Sequence, residues 1–346
     1  MSDRQAADPE LAAIMRAVGC HPAWAAVAVV GLLAVAVAAL GVTSPLPAWV
    51  RYLPLAASLL LFGLPHGAID HLAPARAAGR RTTPRWMVLV GVVYLLLGGG
   101  YALLWTVAPV ASAVLFVALT WFHWGQGDLY ALEALGADYL DGPGVRAGTL
   151  FVRGGLPMLV PLLAHPDRYR QVVDAWVSLF GRDLAFAITV DGRLGLAVAF
   201  ATVTVATLLA GYRRANGRVW RRDVAETVAL WLYFLVVPPL VAIGVYFCLW
   251  HSLRHLARLI GIDRDGARAT FSDRGAIAAL ARTGREAAPL TGLSVVLLVG
   301  AGVAVGVETA PGRLAALYLV FIAVLTLPHV AVVTWMDRAE RHGVKQ

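Results

Sequence analysis

The run AWAAVAVVGLLAVAVAALGV, residues Ala23–Val42, decides the fold class of this chain because it contains no charged side chain. A stretch of about 20 apolar residues matches the thickness of the hydrocarbon core of a bilayer. The 22 residues before it include the acidic side chains Asp3, Asp8 and Glu10. A cleaved signal peptide prefers a short, basic start. We therefore interpret the run as a retained membrane span.

The composition supports a membrane protein. Hydrophobic residues make up 59% of the 346 residues, charged residues make up 14%, and the mean hydropathy is +0.71. A soluble domain carries about 25% charged residues, so the composition argues against a soluble enzyme and excludes a disordered chain. The net charge of +8 lies in short loops, as in the cytoplasmic loops of membrane proteins, and calls for no nucleic acid partner. Cys20 and Cys248 form no CxxC motif, which excludes a disulfide scaffold and a thiolate zinc site.

Nine further apolar runs follow the first, at residues 48–65, 86–107, 109–128, 148–164, 192–211, 222–237, 239–257, 289–307 and 313–335. Helices are the default in lipid because each backbone group must find a hydrogen-bond partner within its own segment. The sequence predicts an all-α, polytopic bundle of about ten transmembrane helices. We expect one membrane-embedded domain at residues 23–337, between an N-terminal tail at 1–22 and a C-terminal tail at 338–346.

Residues 222–257 allow two topologies, because they form either one helix broken at Pro238-Pro239 or two helices. Four segments carry more basic than acidic residues: 67–85, 212–223, 258–288 and 336–346. All four face the cytoplasm only if there are ten spans, as the positive-inside rule requires. The loop at 129–147, with three acids and one Arg, does not fit. We predict ten spans in the plasma membrane, with both termini in the cytoplasm.

Six of the nine histidines lie in or beside apolar runs. They are His66 and His71 in GLPHGAIDH, His123 in WFHWGQGD, His251 and His255 in WHSLRH, and His329 in TLPHV. Polar side chains inside membrane spans are costly and mark functional sites by default.

The ten-span topology places four of these histidines at a similar depth. The spans that carry His66, His123, His251 and His329 run inward, and at 1.5 Å per residue the histidines lie roughly 18 to 26 Å along them. His255 follows His251 by four residues, so both rings project from one helix face. The pattern predicts a metal site in the inner half of the bilayer. Neutral imidazoles without thiolates suit iron, copper or zinc.

Two carboxylates are candidates for orienting these rings. Asp70 follows His66 by four residues, and if the helix continues it can accept the second ring N–H of that histidine. Asp128 can do the same for His123 after a turn through the intervening glycines. The roles of His71, about 140° around the helix from His66, and of His329, which has no partner on its span, remain open.

Three further charged residues lie in or near apolar runs. We interpret Arg153 and Glu226 as side chains near span ends whose charged groups reach the interface. Arg254 lies between the two histidines of WHSLRH but points elsewhere around the helix. We expect it to meet lipid headgroups or an acid, either Asp70 or Asp128.

The segments GLPHGAIDH, WFHWGQGD, FCLWHSLRH and LPHV, in this order, resemble the Brp/Blh family of bacteriorhodopsin-related membrane β-carotene 15,15′-dioxygenases. The PHGAxDH and HSxRH elements are the most specific parts. The resemblance extends from about Gly63 to about Asp337, and the first 45 residues carry none of its motifs. The aromatic pattern around the second histidine differs from that of many family members.

The resemblance implies an iron-dependent enzyme that cleaves β-carotene with O₂ at its central double bond and releases two retinal molecules. It also implies a microbial rhodopsin as the recipient of the retinal. The Fe(II) ligands that it implies are His66, His123, His251 and His255. Asp70, His71, Asp128 and His329 are left as residues beside the ligands or of open role, and the residues that bind substrate are not identified.

Two other function classes remain open at this point. Paired histidines also occur in diiron hydroxylases and desaturases, but those enzymes need about eight histidines with adjacent pairs, and this chain has no adjacent pair. The number of iron ions bound per chain distinguishes the two enzyme classes: one for the dioxygenase and two for a diiron enzyme. The other class is a non-enzymatic haem-binding or transport protein. A Soret band would support haem, whereas a proton-coupled transporter needs acids at mid-span, and Asp70 and Asp128 lie near span ends.

Overall fold

The computed structural model describes residues 8–41, 46–184, 189–215, 217–307 and 309–343. All regular structure in these ranges is helical, which confirms the all-α prediction. The helices are α1 Pro9–Ala39, α2 Ala48–Ala68, α3 Ala73–Ala77, α4 Pro84–Val107, α5 Pro109–Ala134, α6 Pro143–Ala164, α7 Pro166–Ser178, α8 Val190–Tyr212, α9 Arg218–Val236, α10 Pro239–Ile262, α11 Arg264–Val305 and α12 Pro311–Gly343.

Seven of these helices begin at a proline: α1, α4, α5, α6, α7, α10 and α12. Proline suits the first helical position because its fixed φ matches the helix and its missing N–H would have no helical partner there. At α1 the carboxylate of Asp8 also accepts hydrogen bonds from the backbone N–H groups of Glu10 and Leu11, at 3.0 and 3.2 Å. Local sequence therefore sets where many helices start.

Each of the ten predicted apolar runs corresponds to a helix, and eight of these helices are long and apolar enough to cross a membrane. The two outside this set are α5 and α9. Both carry polar side chains in the protein interior, including His123 and Asp128 on α5 and Asp223 and Glu226 on α9. The count of about ten is therefore approximate.

Residues 222–257 form two helices. Val237 and Pro238 separate α9 from α10 with extended backbone angles, φ −87° and ψ 132° at Val237 and φ −56° and ψ 140° at Pro238. The residue before a proline avoids the helical region because of its clash with the proline ring. The Pro238-Pro239 pair therefore ends one helix and starts the next.

The first and last helices run beyond the predicted domain limits. α1 begins at Pro9, so residues 9–22 are helical, and α12 continues to Gly343. The cytoplasmic location of the two tails and the single catalytic domain at 23–337 stay predictions.

The predicted turn between His123 and Asp128 is wrong, because α5 continues as a helix through Gly125 and Gly127. Gly125 instead allows a close approach between helices. A Cβ atom there would collide with the backbone carbonyl of Leu150 on α6, and one at Gly154 of α6 would collide with the carbonyl of Trp121 on α5. Small residues let helix backbones approach closely in membrane proteins.

The chain divides into two compact units. The first comprises the described parts of residues 1–51, 121–170 and 185–258. In it α6 packs against α8 and α9, and α9 packs against α1. A cluster of Leu129, Leu132, Tyr139, Leu140 and Val145 forms part of its core.

The second unit comprises the described parts of residues 52–120, 171–184 and 259–346. In it α12 packs against α3, α4 and α11, and α11 also packs against the last turns of α2. A hydrogen bond of 2.9 Å between the hydroxyls of Ser58 and Tyr318 joins α2 to α12.

Large apolar side chains are exposed along several helices of the two units. Leu32 on α1, Leu95 on α4 and Val303 on α11 are 70%, 73% and 77% exposed. Soluble monomers rarely expose large contiguous apolar patches. Together with their length, this exposure is typical of helices that face lipid.

The close approach between α5 and α6 at Gly154 can be tested by substitution. Gly154→Ala should destabilise the protein by about 1–3 kcal/mol, because the added methyl group overpacks a backbone contact. The midpoint of thermal unfolding in detergent measures the effect. The control is Gly195→Ala on α8, where a Cβ atom meets no described atom within 4 Å. An equal loss in both variants would contradict the close approach.

Candidate functional site

Three histidines lie together in the interior of the first unit. His123 comes from α5, and His251 and His255 come from α10; none is more than 4% exposed. The Nε2 atoms of His123 and His251 are 3.1 Å apart, and the ring centroids of His123 and His255 are 6.3 Å apart. Three of the four histidines that the resemblance implies as ligands therefore lie within the first unit.

The separation of these two nitrogens is compatible with their binding one metal ion. Two ligand atoms that each lie about 2.0–2.2 Å from a cation, and that make a right angle at it, are about 3 Å apart. This is close to the distance between the His123 and His251 Nε2 atoms. The Oε1 atom of Gln126 lies 3.3 Å from His123 Nδ1. When this oxygen accepts the Nδ1 proton, the Nε2 atom of His123 keeps its lone pair for a ligand bond.

His251 is held in place by the wide turn on which it lies and by its neighbours. Residues Tyr246–His251 form a π-helical turn within α10, a local widening that is frequent at functional sites. The His251 ring lies 5.7 Å from the Trp124 ring. A Cβ atom at Gly127 would approach the same imidazole to 3.4 Å. The ring thus has little room to rotate.

Six charged side chains, five of them buried and Arg222 partly exposed, form a network beside these histidines, which we call the ionic network: Arg153, Arg222, Arg254, Asp128, Asp223 and Glu226. Arg254 lies 2.9 Å from both Asp128 and Glu226. Arg153 pairs with Asp223 at 3.2 Å and also with Glu226. Arg222 pairs with Glu226 at 2.9 Å. The network links α5, α6, α9 and α10.

The network corrects two interpretations of the sequence. Arg153 and Glu226 do not extend to the interface, since they are 0% and 1% exposed and pair with each other. Asp128 does not orient His123: it pairs with Arg254, and the indole N–H of Trp250 donates to it at 3.1 Å. Desolvation is the physical reason, because a buried charge needs a charged partner more than a neutral imidazole does. The expectation that Arg254 meets Asp128 is confirmed.

Two side chains at the edge of the network donate to its acids. Trp24 of α1 donates to Glu226 at 3.2 Å. Tyr139, in the 3-10 turn Asp138–Asp141, donates to Asp223 at 2.8 Å. Burial raises the pKa of Tyr139, and the Asp223 carboxylate raises it further. The phenol therefore stays protonated and remains a donor.

The second unit contains two buried histidines, His66 and His329, whose ring centroids are 5.0 Å apart. His66 Nδ1 donates to the carbonyl of Gly63, which leaves its Nε2 atom with a lone pair. His329 Nδ1 lies 2.7 Å from the carboxylate of Asp70, and the Tyr94 hydroxyl donates to the same oxygen at 2.7 Å.

Asp70 therefore orients His329 and not His66, which corrects the sequence-based expectation. The helix that carries His66 ends at Ala68, so the carboxylate of Asp70 is not one helical turn above the His66 ring. A histidine whose Nδ1–H is held by a carboxylate is the usual arrangement of a metal ligand. His329 has this arrangement. His71 is half-buried, and its Nδ1 lies 3.0 Å from the carbonyl of Ala68.

Several of these groups are not evident from the sequence alone. Gln126 has a usable signal, since it follows His123 by three residues on a helix and such residues share a face. Asp223 and Tyr94 have no comparable signal. Their partners, Arg153 for Asp223 and Asp70 for Tyr94, are far away in sequence.

Comparisons with known proteins agree with this picture. The family profile described as beta-carotene 15,15'-dioxygenase matches residues 57–337. The chain is 52% identical to the Halobacterium salinarum protein named "Probable beta-carotene 15,15'-dioxygenase Blh", over 92% of this chain and 91% of that protein. It is 32% identical to "Probable beta-carotene 15,15'-dioxygenase Brp" of the same species, over 81% of this chain and 82% of that protein.

A more distant relative is the "Beta-carotene 15,15'-dioxygenase" of an uncultured marine bacterium, 24% identical over 58% of this chain and 66% of that protein. No solved structure matches the chain. The resemblance based on the four histidine-containing segments is confirmed, because the family profile spans all of them. This chain belongs to the β-carotene 15,15′-dioxygenase family.

Proposed function

We propose that this protein cleaves β-carotene at its central double bond with O₂ and releases two molecules of retinal. The observation that carries the proposal is the buried histidine cluster of the first unit, in a chain whose relatives are named as β-carotene dioxygenases. Iron content distinguishes this proposal from the other histidine-rich enzyme class, the diiron hydroxylases and desaturases. This protein should bind one iron per chain, whereas a diiron enzyme binds two.

We propose His66, His123, His251 and His255 as the ligands of the iron. In the first unit the support is the facing Nε2 atoms of His123 and His251. In the second unit it is His66, whose Nδ1–H is held by backbone carbonyls. Bound Fe(II) supplies the redox chemistry that lets O₂ react with a carbon–carbon double bond.

The reaction itself fits the neutral surroundings of the histidines. Each half of the symmetric hydrocarbon gains one oxygen atom, so the overall cleavage needs neither a proton nor an external reductant. The described carboxylates of the first-unit site, Asp128, Asp223 and Glu226, are all paired with arginines. They therefore serve the protein scaffold and are not required as acids or bases.

Aromatic side chains around the first-unit histidines exclude water and offer flat apolar surfaces. Trp124 contacts Tyr246 with ring centroids 4.8 Å apart and Phe247 at 6.3 Å. All three are buried. Aromatic faces of this kind suit a long conjugated hydrocarbon, and a lipophilic substrate can enter from the bilayer.

We also propose His329 as a further ligand on the second unit. Its support is the Asp70 carboxylate at 2.7 Å, which holds the Nδ1 proton and directs the Nε2 lone pair away. Tyr94 in turn holds Asp70. His71 instead has its Nδ1 atom beside the backbone carbonyl of Ala68, and it is not included among the ligands.

The protein is proposed to lie in the plasma membrane with both termini in the cytoplasm. The eight long apolar helices support the membrane location, and the Arg-rich loops support the orientation. Retinal released into the bilayer would reach a microbial rhodopsin as its recipient.

The first test replaces the paired histidines of α10. In a bacterium that accumulates β-carotene, His251→Ala or His255→Ala should abolish retinal formation, since each removes a proposed ligand. Chromatography of extracted pigments measures retinal and β-carotene. The control is His21→Ala, because His21 is exposed and outside the proposed site. Retinal production at the wild-type level in either α10 variant removes that histidine from the site.

A second test addresses His329 and its carboxylate. Asp70→Asn should weaken Fe(II) binding by about 10- to 100-fold, the usual effect of losing such a partner, and His329→Ala should weaken it at least as much. Metal titration of the purified protein measures the affinity. Asp138→Asn, the same change at an exposed residue, serves as the control. Unchanged affinity in His329→Ala would show that this histidine does not bind the metal.

The orientation can be tested with reporter fusions at each terminus. A fluorescent protein that folds only in the cytoplasm should be bright at both ends, and alkaline phosphatase should be inactive there. Active phosphatase at the C-terminus alone would indicate an odd number of spans, and so overturn the ten-span topology.

A further inference from the structure

We propose that the ionic network sets the reduction potential of the iron held by the first-unit histidines, through a balance of opposite buried charges. The inference rests on the iron site of the proposed function but not on its substrate. It assigns Arg254 and Asp128 as positioning residues that act on the metal through charge and through the helices they share with its ligands.

The network is coupled to the histidines through the chain itself. Arg254 immediately precedes His255 in sequence, and Asp128 follows His123 on the same uninterrupted helix. The guanidinium of Arg254 also lies 4.1 Å from the ring of Trp250, the residue before His251. Any change of charge in the network is therefore close to the proposed ligands.

Burial makes that charge effective. The side chains of Arg153, Arg254, Asp128, Asp223 and Glu226 are all at most 3% exposed. Water screens charges poorly in such surroundings, so the effective dielectric is far below that of bulk solvent. A single uncompensated charge in the network would be felt at the metal.

The charges of the network cancel. Its three arginines and three carboxylates sum to zero, and every member has an oppositely charged partner. Iron bound by neutral imidazoles then meets no net negative charge from the network, and such a charge would stabilise Fe(III) over Fe(II). An O₂-dependent enzyme that starts from the reduced metal benefits from such an environment.

Because the charges balance, each substitution should shift the reduction potential of the iron in a defined direction. Arg254→Gln leaves the network with one excess negative charge, which stabilises Fe(III) and should lower the potential. Asp128→Asn leaves one excess positive charge and should raise it. If the network only held the helices together, both variants would disturb the site, but they would not shift the reduction potential in opposite directions. The double variant should return the potential toward the wild-type value.

The experiment is a redox titration of the iron-loaded, detergent-solubilised protein, followed by the electron paramagnetic resonance signal of Fe(III). The control is Arg146→Gln, because Arg146 pairs with Glu133 in the same unit but is 28% exposed and outside the network; it should leave the potential unchanged. Opposite shifts in the two single variants support the proposal. Shifts of the same sign, or none, overturn it.

A milder variant covers the case in which a buried substitution prevents folding. Arg222 belongs to the network, but its side chain is 24% exposed, so Arg222→Gln should fold and lower the potential by less than Arg254→Gln. No shift in this variant, when the other two do not fold, overturns the proposal. If the two single variants shift the potential in opposite directions but the protein leaves β-carotene intact, the proposed substrate is rejected and the role of the network is supported. A wild-type protein that binds no iron would overturn both proposals.

Discussion

The first unit depends on the mutual neutralisation of charges that have no access to water. Moving an isolated ion into a low-dielectric interior costs far more than a domain's net stability, so Arg153 and Arg254 require the carboxylates that surround them. Those carboxylates come from α5 and α9, and the arginines come from α6 and α10. The pairing requirement therefore selects how four helices pack, and it does so next to the histidines.

The same helices combine charge pairing with close backbone contact. Gly125 and Gly154 let α5 and α6 approach until one backbone lies against the other. This holds α5, which carries His123, against α6, which carries Arg153. Apolar packing alone is a weak guide between helices in lipid, because the lipid is as apolar as the side chains. Glycine contacts and ion pairs supply the specificity instead.

Different groups orient the histidine rings in the two units. In the first unit the amide of Gln126 and a crowd of aromatic rings orient the imidazoles. In the second unit, backbone carbonyls hold His66 and a carboxylate holds His329. In the first unit the buried charges beside the proposed ligands also balance. This suits a reaction between O₂ and a hydrocarbon, in which no ionic intermediate of the substrate has to be stabilised by an acid or a base.

The sequence by itself determined the helical membrane class and the positions of the buried histidines in all four of its motif segments, because hydrophobic run length and i,i+4 spacing are local properties. It also anticipated the contact between Arg254 and Asp128. Only the tertiary structure decided that Asp70 serves His329, that Arg153 and Glu226 are buried together, and that α5 stays helical past His123. These outcomes depend on which distant charge is nearest after folding, and no local pattern encodes that distance.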